Sequence, residues 1–416
     1  MSRDQLPQPQ PDVAGLASGA APEWLTAEAA ATVTGAEPGP FTDGEYRARL
    51  DGVRTRMAGA GLDAMLVFRP SSVEYLCGYH TAETAPQPLL VTESDTCLYV
   101  PDLEVGRALA TSRVGRIRFC GYADALVSLR TFLDDAAGGL GAGARVGVEV
   151  GHASTPPQAI EILRAREVEV VHPDHLVERV RLVHSAAEIG CVERAASVTG
   201  AGTDAAVAEA GRPEATDSSV AAAIAGALFE RADSPSAWGP VVATGNRAGI
   251  PHSSWVGRRL APGPTFLEFS GAHHRYHAPV MRTLVLGGLS PDDRRLAELS
   301  RAALAAVLEA AEPGVPCSEV AEHAWRAVGR LPGDVVFHGL FGYPVGLAHK
   351  PHWMDSAPFH IVRGNHEPLR SGMVFHVPAS FRSFGRSGVG LSQTFVVEEH
   401  GARVLTPGRA DVVEVG

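Results

Sequence analysis

Glu268 stands inside the apolar run Phe266-Leu267-Glu268-Phe269, and three histidines, His273, His274 and His277, follow it closely. A carboxylate in an apolar strand is costly unless something compensates its charge. Arg282 lies just downstream and offers one partner; in that case Glu268 is half of a structural ion pair. Left unpaired, the same carboxylate is a group for binding a cation or moving a proton. His252 sits in the loop Gly249-Ile250-Pro251-His252-Ser253-Ser254. An imidazole there can act as a general base near neutral pH, although most loop histidines are merely solvated. His338, His349, His352 and His376 bring further imidazoles, and His376 falls within the apolar stretch Met373–Val377. The histidines form no clear metal motif. HHxxH in a turn differs from HExxH on a helix, where both rings share one face. Acidic residues are also scarce in the last strands, where hard cations need oxygen ligands. Phe341–Leu347 carries glycines and Tyr343 but is not GxGxxG, and no GxSxG offers a serine nucleophile.

These groups need strands and helices to position them. Phe266–Phe269 and Met281–Leu286 read as two strands, with a turn at Ser270–Arg275. Met373–Val377 and Thr394–Glu398 read as later strands, and Val241–Thr244 as an earlier one. Ser185 and Glu188 have capping-box spacing ahead of a long helix reaching Ala210. Further helices are expected at Ser218–Arg231, Pro291–Ala311 and Cys317–Gly329. No internal repeat stands out. This half has α+β character. Upstream, strands at Asp63–Phe68, Leu89–Thr92, Cys97–Val100, Ile117–Cys120, Val146–Val150 and Val168–Val171 alternate with helices. They predict an α/β domain. Asp43 is the expected N-cap of the helix that opens it. The boundaries are expected at 1–40 for a flexible Pro/Ala/Gly-rich tail, 41–180 for the first domain and 181–416 for the second.

The chain has 416 residues, a net charge of −11 and 45% apolar residues. That acidity argues against a non-specific nucleic-acid partner. The five cysteines are odd in number and without CxxC, so neither a disulfide framework nor a zinc finger is expected. No run is long enough to span a membrane, and no signal peptide opens the chain. A cytoplasmic location is the expectation.

In order and spacing, RLVHSAAEI, His252, FLEFSG…RT, GYPVGL, SGMVFHVP and GVGLSQTFVV resemble the pita-bread family over about residues 41–410. That family includes methionine aminopeptidase, aminopeptidase P, prolidase, creatinase and ectoine hydrolase. The resemblance implies a creatinase-like α/β N-terminal domain and an α+β pita-bread catalytic domain. It also implies a homodimer whose N-terminal loop reaches the partner's active site. The family's metallopeptidases hold two metal ions with two aspartates, one histidine and two glutamates. Those positions fall here on Glu268, Pro279, Tyr343, Pro378 and Ser392, and only Glu268 keeps a normal ligand. The resemblance therefore points to the metal-free branch, nearest ectoine hydrolase and creatinase, with no cofactor and no metal.

Carried over by position, His252 becomes the general base and acid, and Glu268 the carboxylate that anchors a cationic substrate. His277, Tyr343, His376, Ser392, Tyr276 and the loop residue Glu83 become substrate-binding. The loop HTAETAPQP departs from the aromatics usual in ectoine hydrolases, and Gln393 replaces a glutamate. The expected activity is hydrolysis of a C–N bond in a small amidine, guanidine or cyclic amide. Alternatives are a biosynthetic enzyme acting on another small molecule, a binding protein and, last, a metal-dependent Xaa-Pro peptidase.

Overall fold

The computed structural model describes residues 10–16, 23–355 and 357–416. The chain divides into two compact units, Met1–Arg181 and Leu182–Gly416.

The first unit is built on a seven-stranded sheet of order β1-β5-β4-β3-β2-β6-β7. Its strands are β1 (Asp12–Gly15), β2 (Ala64–Val67), β3 (Leu89–Thr92), β4 (Thr96–Pro101), β5 (Arg116–Cys120), β6 (Arg145–Val148) and β7 (Glu169–Val171). Its helices are α1 (Ala27–Val33), α2 (Asp43–Gly59), α3 (Pro70–Cys77), α4 (Val105–Thr111), α5 (Ala125–Leu140), α6 (Pro157–Ala165) and α7 (Leu176–Arg181). Two expectations are corrected. The N-cap of α2 is Thr42, whose hydroxyl accepts from Glu45 N. The stretch read as a flexible tail contributes β1, which pairs in parallel with β5 from Asp12↔Arg116 to Gly15↔Phe119, while α1 falls where a short helix over Glu23–Val33 was open to the sequence. The remainder of that stretch at 1–9 and 17–22 lies outside the described residues.

The second unit repeats one arrangement twice, a helix pair laid on a long hairpin. In the first half α8 (Ala186–Ala210) lies on β9 (Gly263–His273) and β10 (Tyr276–Leu286), and α9 (Asp217–Arg231) packs beside α8. Strands β8 (Val241–Thr244) and β16 (Val413–Val415) flank that hairpin. In the second half α10 (Pro291–Ala310) and α11 (Cys317–Val328) pack together, with α10 lying on β13 (Val374–Ser383) and β14 (Ser387–Glu398). Short strands β11 (Val335–Val336), β12 (Tyr343–Pro344) and β15 (Gly401–Val404) complete this second sheet. The capping box at Ser185 and Glu188 opens α8 as its spacing predicts.

Strand alternation sorts these residues into two layers. Leu267, Phe269, Val280 and Leu284 pack in a core with α8 and α9, while Phe375, Val377, Phe381, Val389 and Leu391 pack in a core with α10 and α11. The intervening positions form the opposite faces. On β9 these include Phe266 and Glu268, and on β13 His376, Pro378, Ser380 and Arg382. Gly390 permits the two hairpins to approach, since a Cβ there would stand 2.3 Å from the Phe266 ring.

The first hairpin is longer than its sequence pattern predicts. Only His274 and Arg275 form the turn, at φ 47° and 59°. Gly271 lies mid-strand, where a Cβ would come within 2.6 Å of Ala195 O and Thr199 N on α8. It is a contact glycine and not a turn residue. Pro279 also lies mid-strand, opposite Ser270, whose hydroxyl takes the neighbouring Ala278 N–H at 3.0 Å.

Candidate active site

Glu268 is 5% exposed, and among the described residues no hydrogen bond or ion pair reaches its carboxylate. Burial pushes its pKa up to about 7, against the opposing pull of Arg382. The expected pairing with Arg282 does not form. Glu268 lies opposite Met281, so Arg282 falls on the other face of the hairpin. There its guanidinium donates to Ser392 O at 2.6 Å and Pro407 O at 3.2 Å. Gln393 joins that group through a 3.5 Å bond from Arg282 and a 3.0 Å bond from its own amide to Gly408 O.

The cation on the Glu268 side is Arg382, absent from the candidates of the sequence. It is 7% exposed and lies 4.9 Å over the Phe266 ring; among the described residues it makes no ion pair within 4 Å and its Nε has no hydrogen-bond partner. Burial lowers its pKa, and the Glu268 charge opposes that shift. A buried carboxylate and a buried guanidinium thus share one region without touching, and each keeps unspent capacity for a ligand.

A hydrogen-bond chain runs across the same region. Trp353 Nε1 donates to Tyr343 Oη at 2.9 Å, and Tyr343 Oη lies 2.7 Å from His376 Nδ1. His376 Nε2 lies 2.7 Å from Ser392 Oγ, which also accepts the Met281 backbone N–H. Register explains the convergence, with Tyr343 opposite His376 and Pro378 opposite Ser392. Burial holds His376 down to about 3, with Arg282 and His352 adding to the effect. Its ring is therefore neutral and holds one proton. Either tautomer fits, because both flanking hydroxyls can donate or accept. Tyr343 is raised well above its ordinary pKa by burial and then by Glu268.

An aromatic group stands beside this chain. Trp238 meets His352 at 4.7 Å, Trp353 at 5.1 Å and His252 edge-on at 5.6 Å. It also packs against Val241, Ala248, Phe266 and Met281. His252 is exposed, adopts φ 59° and follows a 3-10 turn at Gly245–Gly249. Arg247 donates to Ser254 O and ties the loop around it. His277 is fully buried, and its Nε2 accepts from Ala237 N at 2.9 Å. It thereby fixes the segment that carries Trp238. Burial lowers its pKa to about 4.

The structure therefore brings Glu268, Tyr343, His376 and Ser392 together, with His252 beside Trp238 and His277 supporting Trp238 from behind. Tyr276 does not join them. It lies one position out of phase, and its hydroxyl donates to Glu188 Oε1 at 2.6 Å. Glu83 belongs to the first unit. Its carboxylate accepts from Tyr122 Oη at 2.6 Å and from the N–H groups of Thr84 and Ala85 at 2.7 and 3.0 Å. The Tyr122 bond leads the causes that hold its pKa down. Trp238, Trp353 and Arg382 are the residues that the sequence reading left out, and His352 was named there only as one of several further imidazoles.

Residues 190–399 match metallopeptidase family M24, and residues 49–183 match the creatinase/prolidase N-terminal domain. The chain belongs to metallopeptidase family M24, with a creatinase/prolidase N-terminal domain preceding its pita-bread domain. It is a hydrolase of that family. An uncharacterized hydrolase/peptidase of Sinorhizobium fredii is 28% identical over 391 residues, covering 88% of this chain and 96% of that protein. An ectoine hydrolase of Halomonas elongata is 26% identical over 392 residues, with 88% and 96% covered. A dipeptidase structure from Mycobacterium ulcerans superposes with a TM-score of 0.75 at 24% identity, covering 91% of this chain and 100% of that one, and shows the shared fold.

The residues present do not fit the two-metal cage that the family resemblance implies. Of its five positions, Pro279 and Pro378 offer no side-chain donor. Tyr343 and Ser392 are tied to His376, and both His376 nitrogens are thereby engaged. Glu268 alone remains a strong oxygen ligand, and one carboxylate does not hold two ions.

Proposed function

We propose that this protein hydrolyses a C–N bond in a small substrate with a cationic, planar carbon centre, such as an amidine, guanidine or cyclic amide, without a dinuclear metal site. The observation that carries this reading is Glu268, a buried and unpaired carboxylate with a pKa near 7, beside the Trp353–Tyr343–His376–Ser392 chain. An amidinium or guanidinium would pair with Glu268 and supply the charge that the fold leaves out. Arg382 is suited to an anionic group elsewhere on the same molecule.

In this mechanism His252 takes a proton from water as the water oxygen bonds to the planar carbon. The tetrahedral intermediate collapses as its C–N bond breaks, and His252 returns the proton to the departing nitrogen. Tyr343 and Ser392 hydrogen-bond the substrate or the intermediate, and the neutral His376 between them lets their donor and acceptor roles exchange. Trp238 and His352 form an aromatic wall on which a flat cation can lie. The protein acts as a homodimer in this reading, and its substrate is a small molecule.

The test is turnover of ectoine and creatine by chelator-treated protein, read by mass spectrometry alongside the His252→Ala variant. Hydrolysis that survives chelation and vanishes in the variant supports the reading. Activity that appears only after a divalent metal is restored supports the family's peptidase chemistry.

A further inference from the structure

The tip of the β9–β10 hairpin carries a second group of ligating side chains, separate from the site above. His273 Nδ1 lies 3.0 Å from Asp233 Oδ2, and His274 Nε2 lies 3.3 Å from the same oxygen. All three candidate ligand atoms fall within 4.8 Å of one another. Five steps of extended strand lead from Glu268 to His273, roughly 17 Å along the chain.

Chemistry and geometry both suit this group to a metal ion. The donor set is two imidazoles and one carboxylate, which matches divalent zinc, cobalt, nickel or copper better than magnesium or calcium. Neighbouring atoms in a tetrahedral site with bonds of about 2.1 Å stand roughly 3.4 Å apart, close to the spacings already present. Asp233 is also oriented in advance. Its Oδ1 accepts from His274 N at 2.8 Å and from Ser234 Oγ at 3.1 Å, which turns Oδ2 toward both rings. The hairpin itself is strained, since two successive non-glycine residues, His274 and Arg275, occupy the left-handed region. A two-residue turn of this kind normally takes Asn-Gly. His-Arg in that place directs two adjacent imidazoles to one carboxylate.

We propose that Asp233, His273 and His274 form a site for one divalent transition-metal ion that clips the β9–β10 hairpin to the segment after α9. Asp233 leads directly into the residues that carry Trp238, so the clip joins that segment to the hairpin that carries Glu268. Arg194 regulates occupancy. Its Nη1 lies 3.2 Å from His273 Nε2 and donates to it, which places the ring proton on Nδ1 and directs it at Asp233. Metal at Nδ1 moves that proton to Nε2, and Arg194 must then turn away.

The test is calorimetric titration of Zn²⁺ into tag-free, chelator-treated full-length protein, with thermal melts on the same samples. The expected result is one zinc per chain with micromolar or tighter affinity and a higher Tm. Asp233→Asn and His274→Ala weaken binding at least tenfold, Glu268→Gln leaves it unchanged, and Arg194→Gln tightens it. Melts of the apo variants establish that each is folded. Cu²⁺ loaded into the same protein is expected to show two-nitrogen coupling by electron paramagnetic resonance. No saturable zinc site, or a site that persists in both Asp233→Asn and His274→Ala, overturns the proposal. Loss of binding in Glu268→Gln alone does so as well, by assigning the zinc to the catalytic region.

Discussion

Replacing Glu268 with glutamine removes a buried charge whose cost depends on pH in a calculable way. The folded-state pKa is about 7, against 4.5 for the free group. Between those values the folded protein keeps a proton that the unfolded chain has released, so stability falls as pH rises through this window. Below pH 4.5 both states are protonated and the position costs nothing; above pH 7 the penalty is fully developed. The linkage gives a penalty of about 1 kcal/mol at pH 5 and about 3 kcal/mol at pH 8. Glutamine has nearly the same shape and no charge, so the variant gains that amount. The assay is urea unfolding followed by tryptophan fluorescence at both pH values. Trp238, Trp255, Trp325 and Trp353 all lie in the second unit, so the signal reports mainly on it. The variant is expected to be more stable than the parent at pH 8 by about 2 kcal/mol more than at pH 5, and to be inactive. A stability change equal at both pH values, or a variant less stable at pH 8, refutes the argument that Glu268 is an uncompensated buried carboxylate.

Three further outcomes follow from the same geometry. His252→Ala is expected to reduce kcat/KM at least a hundredfold in a turnover assay while changing stability by no more than about 0.5 kcal/mol, because the ring is exposed. Ser392→Ala strips an acceptor from the buried Met281 N–H and a partner from His376, and is expected to cost about 1–3 kcal/mol by urea unfolding. Arg382→Met is expected to raise KM at least tenfold for substrates with an anionic group and little for neutral ones. It also removes the charge that lowers the Glu268 pKa, so a kinetic transition assigned to Glu268 moves to higher pH.

Most elements were legible where periodicity and caps agree. The α8 capping box, the strand Val241–Thr244 and the helices at Val105–Thr111 and Pro157–Ala165 follow from local pattern. The hairpins were harder to read, because their strands carry residues that normally signal turns. Gly271 and Pro279 sit within the strands of one hairpin, and Pro378, Ser380, Gly388 and Gly390 within those of the other. These residues serve close approach between layers, a requirement that no local window contains. The repeat of helix pair and hairpin was invisible for the same reason, since it is a repeat of packing and not of sequence. In the candidate site, Glu268 was legible as an acid in an apolar strand. Its neighbour was not. Arg282 is nearer in sequence, but strand alternation sends it to the opposite face, whereas Arg382 arrives from a strand more than a hundred residues later. Tyr276 failed for the same one-residue reason.

The most direct measurement is hydrolysis by chelator-treated protein whose metal content is determined on the same sample, with ectoine and creatine as first substrates. The account predicts C–N cleavage of a small cationic substrate at a rate unaffected by chelation and abolished in both His252→Ala and Glu268→Gln. Cleavage lost on chelation and restored by adding a divalent metal would contradict it.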